Sequence, residues 1–75
     1  MAVKNDTVYV LHISECIGKI EEFTQDISYN DFIVNDLVIS AVIRKLEVIG
    51  EATNYISDNM KSNFPDIPWR IMKAL

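Results

Sequence analysis

Arg44, Glu47 and Glu51 are the side chains of this 75-residue sequence best spaced to act together. Steps of three and four residues put them on one face of a helix, where such neighbours meet. An arginine there presents a planar fork to phosphate, and carboxylates beside it tune that charge or hold a cation. The same trio also suits a solvated helix face with weak ion pairing, and spacing alone does not choose. His12 is of the residue type that can serve as a general base, but no nucleophile or second histidine accompanies it. A partly exposed structural role is expected there. Cys16, the single cysteine, reads as a small buried hydrophobe and excludes an internal disulfide or a cysteine metal cluster. Neither a metal site nor a cofactor is expected.

Charge narrows the partners. Seven basic against eleven acidic residues leave a net charge of -4, so no global positive field draws in nucleic acid. The bases gather late, and Arg70 and Lys73 lie in the most basic stretch. Apolar residues make up 49% and charged residues 24%, a globular balance without a membrane span. The start, Met1 to Asp6, has no apolar signal-peptide core, so the expected location is the cytoplasm.

The elements that must position these groups are helical. Only two Gly and two Pro punctuate the chain, and no Asn-Gly or Asp-Gly pair marks a hairpin. After Asn5 or Asp6 as cap, Tyr9, Ile13, Cys16, Ile17, Ile20 and Phe23 advance by threes and fours, which predicts a helix over about 6–25. Ser28 to Asp31 reads as a capping box opening a short helix at about 29–34. Asn35 or Asp36 then caps a stripe of Ile39, Val42, Ile43, Leu46, Ile49, Thr53, Ile56 and Met60, which predicts one long helix over about 36–60. Leu37, Ala41, Val48, Ala52 and Tyr55 form a second apolar flank beside it. Ser40, Arg44, Glu47, Glu51, Asn54 and Asp58 make the narrow polar face. Asn63 to Asp66 reads as a turn, with Asp66 capping a last helix whose opening turn holds Ile67 and Pro68.

These elements make one all-α domain over residues 1–75, a small antiparallel bundle of two long helices, a short connector and a C-terminal helix. A core of this size buries only about 60% of the surface of its unfolded chain. With no disulfide or metal to help, and two apolar flanks on the long helix, a homodimer or higher homo-oligomer is expected to complete it. Gly18 and Gly50 each cost about 1 kcal/mol inside a helix, so the long helices are expected to cross closely there. Tyr55 and Trp69 read as core anchors.

The run Ala41-Val42-Ile43-Arg44-Lys45-Leu46-Glu47-Val48-Ile49-Gly50-Glu51-Ala52, followed by Ile67-Pro68-Trp69-Arg70, resembles the HepT-like family of the HEPN superfamily. Asp6, the pattern through Ile20-Glu21-Glu22-Phe23 and the element from Ser28 to Ile33 extend the resemblance over essentially the whole chain. It implies an all-α dimeric ribonuclease toxin whose partner is a minimal nucleotidyltransferase antitoxin, thought to act by transferring AMP to a tyrosine. The family's chemistry sits in an Arg-x4-His-x-Tyr motif directly after the Ile-Pro-Trp helix. There the arginine stabilises phosphate charge and the histidine assists attack by an RNA 2'-hydroxyl.

This sequence reaches Leu75 without that motif, and its last helix has no stop signal. The expectation is therefore about the first two thirds of such a protein, inactive as given and carrying no catalytic residue. His12 is not at the family's catalytic position. Arg44, Glu47 and Glu51 match recurrent family positions and are the candidates to line the dimer cleft. Arg70 and Lys73 are the candidates for phosphate contact with RNA. The competing reading is a non-catalytic helical dimerisation or substrate-binding module that partners a nucleotidyltransferase.

Overall fold

The computed structural model describes residues 5–75; the first four residues of the start searched for a signal peptide lie outside the described residues. Among the described residues five helices follow one another: α1 (Asp6–Thr24), α2 (Tyr29–Phe32), α3 (Asp36–Asn54), α4 (Asp58–Asn63) and α5 (Trp69–Lys73). No strand occurs among the described residues. The all-α class and the two long helices expected from the periodicity are both present.

Entry into each of the first four helices is set by a short polar side chain that satisfies an amide the helix leaves free. Asn5 accepts from the Thr7 amide, Ser28 from Asp31 and Asn35 from Val38. The caps of α1 and α3 are thus Asn5 and Asn35, with Asp6 and Asp36 as first helical residues, where a negative charge complements the helix dipole. The short helix stops at Phe32, two residues before the expected end.

The long rod predicted over 36–60 is broken. α3 ends at Asn54, Tyr55 closes it, and Ser57 opens α4 with its hydroxyl accepting from the Met60 amide at 3.2 Å. The cause lies in α1: the Asp6 carboxylate takes the Ser57 amide at 2.8 Å and the Ser57 hydroxyl at 2.6 Å. With Asp6 holding that amide and Ser57 in an extended cap conformation, the helix cannot run through. The apolar stripe still serves its purpose, since Ile56 is buried and Met60 packs against the core from beyond the bend.

α1 and α3 run antiparallel. Asp6 meets Ser57 at one end, and Tyr9 stacks on Tyr55 with ring centroids 5.3 Å apart and planes at 17°. Ile13, Cys16, Ile49, Ala52 and Ile56 form the core between and beyond them, edged by Tyr9, Ile20, Leu46, Val48, Met60, Trp69 and Met72. Thr53 is fully buried, and its hydroxyl donates to the Ile49 carbonyl at 2.8 Å, so no polar atom is stranded there.

The C-terminal helix begins at Trp69 rather than at Ile67. Asp66 does not cap it: Pro68 is the cap residue, with no side-chain bond, while the Ile67 amide closes a turn onto the Phe64 carbonyl. The Trp69 indole donates to that same carbonyl at 3.0 Å, fixing the turn. α5 packs on α3 at Gly50, where an added Cβ would lie 2.8 Å from the Leu75 carbonyl carbon and 3.3 Å from the Met72 oxygen. Close approach is thus real at Gly50, but the neighbour is α5 and not the other long helix. Gly18 faces open space, and the crossing expected there does not occur.

The chain exposes 5785 Å², about a quarter more than the roughly 4,700 Å² of a compact monomer of its mass. Its radius of gyration of 14.3 Å exceeds the approximately 11 Å of a compact domain of this length. A single α1–α3 pair with one short helix against it leaves much apolar surface in water.

Candidate functional site

The polar face of α3 emerges as read. Ser40, Arg44, Glu47, Glu51 and Asn54 are all exposed along it, while Asp58 belongs to α4 beyond the bend. Arg44 and Glu47 approach to 4.0 Å with both side chains more than half exposed, an ion pair worth little by itself. The Arg44 fork is therefore free to exchange Glu47 for a phosphate at small cost.

Glu51 has different surroundings. It lines a shallow depression of about 180 Å³ with Tyr9, His12, Val48, Ala52 and Tyr55. α1 supplies Tyr9 and His12, three residues apart, and α3 with its closing residue supplies Glu51 and Tyr55, four apart, so antiparallel packing sets two pairs side by side. Tyr55 is 52% exposed and is an aromatic wall of this depression, not the core anchor expected. Trp69 does pack against the core. His12, flanking the α1 stripe, is exposed, and Cys16, within it, is buried.

Arg70 and Lys73 are exposed on α5, three residues apart and on one side of that helix. A second, mostly apolar hollow of about 530 Å³ lies between α1 and the C-terminal segment, lined by residues including Ile13, Ile17, Gly18, Trp69 and Met72. Among the described residues no group of three or more His, Cys, Asp or Glu is placed to hold a metal. No helix among them is long and apolar enough to cross a membrane.

One carboxylate is perturbed. The hydroxyl and then the amide of Ser57 hold Asp6 below the usual value of 3.8, outweighing the opposing effect of its partial desolvation. This clasp joins residues 51 apart in the chain and anchors the end of the helix pair that carries the tyrosines. Periodicity could not reveal it, because Asp6 and Ser57 each look like ordinary helix-start residues. The His12–Glu51 neighbourhood was also missed, although the i,i+3 and i,i+4 spacings of the four residues were visible.

The family model for ribonuclease HepT-like proteins matches residues 13–75, which include α3 and its polar face. The chain belongs to the HepT-like ribonuclease family. Its relatives include "Putative RNase MJ1380" of Methanocaldococcus jannaschii, 41% identical over all 75 residues and covered to 69% of its length. Another is "Probable ribonuclease HepT" of Thermococcus cleftensis, 47% identical over 67 residues, which are 89% of this chain and 61% of that relative. This HepT-like chain therefore spans roughly two thirds of those relatives. No solved structure gives a significant match.

Proposed function

We propose that this chain is the N-terminal part of a HepT-like ribonuclease toxin, acting on RNA as a homodimer and controlled by a minimal nucleotidyltransferase antitoxin. The observation that carries the reading is the family match over residues 13–75, together with relatives described as ribonucleases. Within it, Arg44, Glu47 and Glu51 line the cleft between protomers, and Arg70 and Lys73 contact phosphate. All five are exposed, which is what such roles require.

These 75 residues contain no Arg-x4-His: five positions after Arg44 stands Ile49, and five after Arg70 stands Leu75. The chain alone is accordingly a scaffold without a catalytic set. Incubated with single-stranded RNA in the absence of metal, it is expected to give no cleavage above background. Cleavage that survives both repurification and His12→Ala would overturn that assignment.

A second reading, the non-catalytic dimerisation or substrate-binding module, draws on the surface excess described above. An excess of about 1,100 Å² over a compact monomer is of the size one partner commonly buries in a stable interface. Sedimentation and co-purification with a small nucleotidyltransferase separate the possibilities. A monomer at micromolar concentration that captures no such protein would remove both the dimer and the partner.

A further inference from the structure

We propose that the depression walled by Tyr9, His12, Glu51 and Tyr55 is a pocket for one unpaired guanine base. The inference rests on the reading of the chain as part of an RNA-acting protein, and it names the feature of RNA that this surface reads. Tyr55 is half exposed, yet its ring is fixed by the stack on Tyr9 at 5.3 Å. A stacked aromatic pair with Tyr55 half open to solvent suits a base, because stacking is available to every nucleobase.

Selectivity comes from the group beside that face. Glu51 lies on α3 one turn before its closing residue Tyr55 and lines the same depression. An ionised carboxylate offers two acceptor oxygens and no donor. Guanine alone among the RNA bases presents two adjacent donors, N1–H and the N2 amino group, on its pairing edge. Adenine and cytosine set one amino group beside a ring acceptor, and uracil sets its single N–H between two carbonyls; each turns an acceptor toward the carboxylate. His12, in the same depression, brings an N–H in either tautomer, which suits the guanine O6. The net charge of -4 provides little general attraction for a polyanion, so a base contact adds to what the few exposed basic residues supply.

The test is titration of the 75-residue chain at low salt with an oligouridine pentanucleotide and with versions carrying one central guanine, adenine or cytosine. Guanine is expected to bind about tenfold or more tightly than the others, the size of one good bidentate contact. Glu51→Gln should bring the four to about parity, because an amide replaces one acceptor by a donor. Tyr55→Leu should weaken all four about fivefold or more. Should Tyr55→Leu disturb folding, the exposed Glu51→Gln substitution decides the matter alone. Equal binding of all four by the unaltered chain overturns the guanine assignment. RNA binding that depends on Arg44 but ignores both substitutions sinks the pocket while leaving the RNA reading intact. Conversely, Glu51-dependent binding of guanosine monophosphate by a chain that binds no oligonucleotide upholds the pocket and sinks that reading.

Discussion

The two ends of the α1–α3 pair carry similar apolar patterns and meet different fates. Toward Asp6 and Ser57, Ile13, Cys16, Ile49, Ala52, Thr53 and Ile56 are sealed from water, although Val8, Val10 and Leu11 of α1 stay exposed there. At the other end Ile33, Val34, Leu37 and Ile43 stand exposed, Leu37 to 81%. The packed end has three devices that the open end lacks: the Asp6–Ser57 clasp, the tyrosine stack and the docking of α5 on α3 at Gly50. Apolar spacing says which faces gain from cover, whereas long-range contacts decide which faces receive it.

The sharpest way to break this comparison is truncation at each end. Ile49→Ala empties a fully packed site and is expected to lower stability by about 2–4 kcal/mol. Leu37→Ala should change it by less than about 0.5 kcal/mol. Urea unfolding of both variants measures the contrast, and equal losses would mean that the open end is covered in solution.

Next comes the clasp. Ser57→Ala removes the cap of α4 and a partner of Asp6, for an expected loss of about 1–2 kcal/mol. The Asp6 carboxyl is held below its ordinary value, so the stability it confers is full above the unfolded value and lost as pH falls through the lowered one. Asp6→Asn should therefore flatten the acid limb of the stability curve, which thermal melts from pH 5 downward would record.

The glycines sharpen the difference at a smaller scale. Gly50→Ala must push the α5 backbone away and is expected to cost about 1 kcal/mol net, with a change in Trp69 fluorescence. Gly18→Ala meets nothing and should gain about 0.5–1 kcal/mol from helix propensity. Smallest of all, Glu47→Gln should shift stability by under about 0.5 kcal/mol, because its bond to Arg44 lies in water.

Much of this architecture could be read from residue spacing. The stripes of α1 and α3, the caps at Asn5, Ser28 and Asn35, and the exposed polar face through Arg44, Glu47 and Glu51 follow from local rules that act within one turn. What escaped is non-local. Ile56 and Met60 continue the α3 period faultlessly, and the break between Tyr55 and Ser57 combines the local Ser57 cap with the distant Asp6 carboxylate that holds it. Tyr55 read as a core residue because its type and register suit burial, while its real neighbour is another tyrosine 46 positions earlier. Gly50 signals a tight contact, but the expected neighbour was the other long helix, whereas Met72 and Leu75 of the C-terminal segment make the approach.

The bond between Asp6 and Ser57 also bears on how the protein is made. During synthesis α1 leaves the ribosome long before the serine that fastens it, so the early helix must wait as a loosely held amphipathic segment. The sheltered end of the pair can form only once some fifty further residues have emerged, so it cannot assemble with α1 alone.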